Sequence, residues 1–187
     1  MSSTKDARIV RTRQALRDAL LSLIERKPLQ DVTIREIAAE AGIHYATFFR
    51  HHETKEALLN DIAADQINHV VELMLPVVYG SDRHAVHVAL CSYVDEHRSL
   101  WTILLTGGAA ETLKSEMIRL CKAPGEDRIP SDNEIPAELV VIGGVSVIVE
   151  TLAWWLVQPK GSVSIETLAR YLDRMIYSAL ESRSSLG

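Results

Sequence analysis

Cysteine is nearly absent from this 187-residue chain, which has only Cys91 and Cys121. Two thiols that far apart have neither the spacing of a metal-ligand pair nor the density of a disulfide-stapled secreted fold. Both are expected to be buried free thiols in a reducing cytoplasm, and the sequence shows no secretory signal pattern. Aromatic residues make up only 5%, and two of the three tryptophans are neighbours, Trp154 and Trp155. Strand-like alternation is scarce, and there is neither an internal repeat nor a low-complexity segment. The motifs G-x-S-x-G and H-E-x-x-H, the phosphate loop and the dinucleotide fingerprint are all missing, which argues against an enzyme and gives no basis for a cofactor.

What is present is ordinary for a globular protein, with 47% hydrophobic and 24% charged residues. The net charge of −5 is unevenly distributed. Residues 1–56 hold ten Lys/Arg against eight Asp/Glu, and the remainder holds ten against seventeen. Lys5, Arg8, Arg11, Arg13 and Arg17 are opposed locally only by Asp6 and Asp18. A basic end on an acidic body suits a protein that meets nucleic acid with that end alone; a merely solvated charged face would have the same composition.

Helical periodicity runs through the chain. Ile9, Leu16, Leu20, Leu23 and Ile24 form a stripe over residues 6–26, ended by Lys27-Pro28. The segment Thr33-Ile34-Arg35-Glu36 has the form of a capping box, and Gly42 is expected to stop the helix it opens. A third short helix is expected over 44–51, and a fourth, capped by Thr54, runs toward Pro76. Further helices are expected over 81–97, 100–105 and 110–122, with a break at Gly107-Gly108. Residues 123–136, rich in proline, are expected to form a loop that is free to move. Two long helices, 137–157 and 165–181, flank Pro159-Lys160-Gly161-Ser162. Val145–Val149 would suit a buried strand but lies within a helix-length apolar run. The expectation is an all-α chain of about nine helices.

Residues 33–58 carry the functional signal. A helix-turn-helix needs a small residue where its two helices cross, a tight turn and an apolar residue just beyond it. Ala38, Gly42 and Ile43 fill those roles. The second helix then offers Tyr45, Thr47 and His51 as hydrogen-bonding groups and Ala46 as a partner for a thymine methyl, while Phe48 turns inward. Lys55, at the next helix N-terminus, is placed to meet a phosphate.

This segment resembles the DNA-binding region of the tetracycline-repressor (TetR) family. Thr33, Ile37, Ala38, Ala41, Gly42, Ile43, Thr47, His51, Thr54, Lys55, Glu56 and Leu58 stand where the family pattern places such residues. The resemblance implies phosphate contacts from Thr33 and Lys55 and groove contacts from Tyr45, Ala46 and Thr47, with Arg35, His44, Phe49 and His51 completing the interface. Three positions depart from the pattern: His44 replaces the usual serine cap, Phe49 replaces a tyrosine, and His52 replaces an aromatic anchor. The resemblance also implies a DNA-binding domain over 1–53 and a ligand-binding and dimerisation domain over 54–187.

A metal site among His44, His51 and His52 is disfavoured. His44 and His51 are two helical turns apart, about 10 Å along the axis, and no nearby cysteine or carboxylate completes a ligand set. Helix 137–157 is apolar enough to raise a membrane span, but Glu150 near its middle costs about 2.5–3.5 kcal/mol on insertion scales. A dimer interface explains the same pattern and gives Gly143-Gly144 a purpose. Val140, Gly143, Gly144, Val147, Thr151, Leu168, Leu172, Met175 and Ile176 are the expected contacts, in the four-helix bundle usual for the family.

Met74, Tyr93, Trp101, Met117 and Trp154 are candidates for an effector pocket, each with a plain core role as its alternative; Arg98 is a candidate interior charge. The sequence therefore points to a cytoplasmic homodimeric repressor that binds a near-palindromic double-stranded operator and is released by an unknown small-molecule effector. The alternative is a regulator controlled by a protein partner or by its own abundance.

Overall fold

A computed structural model of the chain describes residues 2–78, 82–107, 110–122 and 136–181, with side chains described from Ala7 onward except at 75–78, Ala137 and 177–181. The described residues form α-helices and one 3₁₀ turn and contain no strand. The helices are α1 (Ser2–Arg26), α2 (Ile34–Glu40), α3 (Tyr45–Phe48), α4 (Lys55–Val78), α5 (Arg83–Glu96), α6 (Arg98–Thr106), α7 (Ala110–Lys122), α8 (Ala137–Leu156) and α9 (Ile165–Glu181). The all-α expectation holds, and Val145–Val149 is helical within α8. The loop expected over 123–136 and the glycine at 108 fall almost wholly outside the described residues.

The chain divides into two compact units, Met1–Gln66 and Ile67–Gly187, and the division falls within α4. In the first unit α1 packs on α2 through Leu16, Ala19, Leu20, Leu23 and Ile24, all buried, while Ile9 from the expected stripe remains exposed. Lys27 and Pro28 end α1 as expected, and the 3₁₀ turn Leu29–Asp31 leads to Val32, which is buried. Ile37, Ala38, Phe48, Leu58 and Ile62 complete this core. Each such side chain withdrawn from water contributes about 1.5–3 kcal/mol before conformational entropy is charged against it.

In the second unit α5 packs along α9, and α8 packs on α6, α7 and α9. Its core includes Leu90, Val94, Leu100, Trp101, Leu104, Ile148, Leu152, Trp155, Leu168 and Leu172. Asp82 caps α5 by accepting from the Ala85 amide at 3.2 Å. The stretch Glu138–Leu156 is long and apolar enough to cross a membrane by length and composition, yet it is packed against three helices of this unit. Arg98, only 15% exposed, donates to the carbonyls of Trp155, Leu156 and Gln158 at 2.8–3.2 Å, so a charge satisfies the open C-terminal end of α8. Its guanidinium also lies over the Trp155 ring, 4.9 Å from the centroid.

Candidate nucleic-acid interface

The site is built on α2, the turn after it and α3. Thr33 caps α2: its hydroxyl accepts from the Glu36 amide at 3.3 Å, while the Glu36 carboxylate accepts from the Thr33 amide at 2.9 Å. The carboxylate is a strong acceptor because Lys27 donates to it at 2.7 Å; with the Thr33 bonds added, this holds its pKa down at about 2. At the other end Gly42 takes φ +65°, a left-handed conformation costly for any residue with a Cβ. That conformation lets the Ile43 amide reach the Ala38 carbonyl at 2.9 Å and the Gly42 amide reach that of Ala39 at 3.1 Å. This pair of bonds is a Schellman termination, and it redirects the chain into α3.

α3 is shorter than expected, ending at Phe48, after which Arg50 and His51 continue in tight turns through bonds to the Thr47 and Phe48 carbonyls. His44 caps α3 with extended backbone but makes no side-chain bond, in line with its poor capping chemistry. Phe48 is fully buried, as expected. Tyr45, Ala46 and Phe49 are exposed and Thr47 is half-buried, so the outward face of α3 is the one predicted to meet base edges. Arg35, on α2, has its guanidinium 5.8 Å from the centroid of the Tyr45 ring. His51 is half-buried, and partial desolvation, aided by the nearby positive charge of Arg13, pushes its pKa down.

Two side chains have roles that the sequence did not suggest. His52 is buried at 7% exposure and bonds through Nε2 to Asp61 at 2.9 Å, so a polar ring fills the anchoring position against Phe48. Lys55 turns back onto the 3₁₀ turn. Its ammonium donates to the carbonyls of Leu29, Gln30 and Val32 at 2.8, 3.2 and 2.8 Å. All three of its hydrogens are taken, so any phosphate would compete with these carbonyls. Thr54 caps α4 as expected, accepting from the Ala57 amide at 3.0 Å. Among the described residues no group of three metal-binding side chains comes together.

The remaining predicted residues lie in the second unit. Trp101 and Met117 are buried in its core, Met74 and Tyr93 are half-buried, and Trp154 is 54% exposed on the surface of α8. The inward tryptophan is Trp155, whose indole donates to the Val163 carbonyl at 3.1 Å. Of the expected dimer contacts, Leu168 and Leu172 fill the chain's own core, and Val140, Gly144, Val147, Thr151 and Ile176 are half-buried. Gly143 and Met175 face outward. Trp154, Thr151, Glu150, Thr167, Tyr171, Val163 and Leu168 line an open, largely apolar groove of about 580 Å³ along α8 and α9.

Two short helices joined through a left-handed glycine, with an exposed outward face on the second, define a helix-turn-helix protein of the regulatory class. Residues 16–62 match the family described as bacterial regulatory proteins, tetR family. Over that segment the chain carries a tetR-family DNA-binding region. The uncharacterized HTH-type transcriptional regulator YxbF of Bacillus subtilis (strain 168) is 26% identical over 100 residues, a stretch that is 50% of this chain and 26% of that protein. Among solved structures, a tetR-family transcriptional regulator from Streptomyces coelicolor superposes with a TM-score of 0.71 at 21% identity, over 94% of this chain and 85% of that one. The Thermus thermophilus repressor FadR, solved in complex with lauroyl-CoA, superposes with a TM-score of 0.60 at 16% identity, over 88% and 92%.

Proposed function

We propose that this chain is a cytoplasmic transcriptional repressor that grips a near-palindromic operator as a homodimer and is released from it by a small molecule. The observation that carries this reading is the outward face of α3, presented by the Schellman turn at Gly42. Residues 1–53 would form the DNA-binding part and 54–187 the effector and dimer part. Thr33, Arg35, His44, Tyr45, Ala46, Thr47, Phe49 and His51 form the proposed interface, and Lys55 braces the turn behind it. The reading assigns the chain no catalytic activity.

Dimerisation is supported by the face shared by α8 and α9. A Cβ added at Gly143 or Gly144 meets nothing within 4 Å among the described residues. A glycine inside a helix costs about 1 kcal/mol against alanine, so close approach by a partner helix supplies a reason that the chain's own packing lacks. Trp154, Tyr171 and Met175 lie roughly half-exposed on the same two helices, an apolar patch of the kind that marks an interface. An effector is supported by Trp101, whose indole N–H is buried without an acceptor among the described residues. Leaving such a donor unmet costs about 1–3 kcal/mol, which a ligand acceptor would recover. FadR's lauroyl-CoA complex makes an acyl thioester one class of effector to screen.

Release would be a population shift, in which an effector favouring the non-operator conformation carries about 1–3 kcal/mol of coupling. Fluorescence anisotropy on DNA from upstream of the protein's own gene, across a salt series, tests the reading. The expected result is two chains per site and a steep salt dependence, with specific binding lost in Thr47→Ala and Arg35→Ala. Affinity no better than for random duplex, for upstream DNA and for duplex enriched from a random library alike, would sink it.

A further inference from the structure

The face of α3 assigned above to base reading is unusually apolar, and this inference rests on that assignment. Tyr45 and Phe49 leave 49% and 46% of their surface in solvent. Their ring centroids lie 5.2 Å apart with the planes 77° from parallel, an edge-to-face pair. Phe49 also meets Phe48 edge-on at 5.5 Å. Phe48 is fully buried, so the exposed pair is anchored to the core. Arg35 lies over the other side of Tyr45, and Ala46, the next residue along the chain, is also exposed. The result is a fixed wedge of ring edges where a recognition helix would ordinarily carry hydrogen-bonding groups.

The Phe49 side chain has no donor or acceptor, so hydrogen-bond readout cannot account for it. The major groove offers one apolar group, the C5 methyl of thymine; the other base-edge features there are donors or acceptors. We propose that Phe49, braced by Phe48 and Tyr45, reads a thymine methyl in each operator half-site and is a specificity-determining residue of this protein.

The test enriches an operator from a random duplex library with the full-length protein and then replaces each thymine in turn by deoxyuridine, which removes only the methyl. One position per half-site is expected to lose about fourfold in affinity, the transfer cost of one methylene-sized group, and about fifteenfold when both half-sites are changed. Phe49→Ala is expected to bind the thymine and uracil duplexes equally, and Phe49→Tyr to keep the discrimination. The uracil scan on the unaltered protein locates the methyl that is read, and Ala46→Gly separates the two candidate readers. Discrimination kept in Ala46→Gly supports Phe49, and discrimination lost there overturns the inference even if Phe49→Ala does not fold. A fully uracil-substituted operator bound as tightly as the thymine form would overturn the inference while leaving operator binding intact. Failure to enrich any sequence would instead overturn the assignment of this face to DNA, and the methyl inference with it.

Discussion

In the N-terminal unit the polar bonds that shape the candidate site close over short stretches of chain. Thr33 pairs with Glu36, Thr54 with Ala57, and Ile43 with Ala38; Lys55 is the exception, reaching back 23 to 26 positions to Val32, Gln30 and Leu29. In the C-terminal unit the corresponding bonds join distant segments. Asp173 on α9 holds His84 and His87 on α5, and Arg98 holds the last carbonyls of α8. Local bonds preset a helix-turn-helix whatever the rest of the fold does. Distant bonds exist only once the helices have packed, so they report on packing and its stability. The first kind preserves a binding geometry, and the second leaves room for a unit whose helix packing shifts.

Arg98 should give the largest effect, because a mostly buried guanidinium there serves three carbonyls and an indole ring. Arg98→Ala leaves those carbonyls without their donor and is expected to cost about 3 kcal/mol. All three tryptophans, at 101, 154 and 155, lie in the second unit, so tryptophan fluorescence during urea unfolding follows that unit directly. An unchanged midpoint would show that the distant bonds are incidental to its stability. Lys55→Ala comes next, at about 2 kcal/mol, since it strips one ammonium from three carbonyls of a turn. Far-UV circular dichroism should register that loss, with a smaller effect on the fluorescence midpoint. A Lys55→Ala protein of undiminished stability that lost only its salt-dependent affinity for DNA would reverse the assignment and make Lys55 a phosphate contact.

The same contrast explains how much was legible in the sequence. The caps, the Gly42 turn, the inward Phe48 and the order of helices could be read because each depends on neighbours within a few positions. The choice between faces of α8 and α9 could not. Trp154 and Trp155 are about 100° apart on an apolar helix, and nothing in the local pattern says which of them faces the chain's own core. The stripe Leu168, Leu172, Met175 on α9 likewise merges two surfaces: the leucines are buried here, while Tyr171 and Met175 face outward. Periodicity marks an apolar side but does not say whether its own chain or a partner covers it. Lys55 looks like a phosphate ligand in the sequence because its position on a helix N-terminus is visible there and the three carbonyls drawn up to it are not.

The smallest expected effect belongs to the α5–α9 contact and has a definite sign with pH. Asp173 accepts from or bonds to His84 Nδ1 and His87 Nδ1, each at 2.5 Å, and Glu166 lies 3.1 Å from the other nitrogen of His84. The bond to Asp173 raises the pKa of His84 above its ordinary 6.5, with the charge of Glu166 adding to it against some desolvation. A raised histidine pKa stabilises the fold fully below pH 6.5 and loses that contribution as pH climbs through the folded value. For Asp173, burial pushes its pKa up, but the two imidazoles outweigh this and hold it below 3.8, so its contribution is present above that pH and fades in stronger acid. Fluorescence-monitored urea unfolding at pH 5.5 and pH 8 should therefore show a modestly lower midpoint at the higher pH, and His84→Gln should shrink the difference. Since His84 is substantially exposed, at 39% of its side chain, solvent screening keeps the effect small. A difference that persisted undiminished in His84→Gln would move the titration to another group, and a higher midpoint at pH 8 would contradict the sign set by the carboxylate between these two rings.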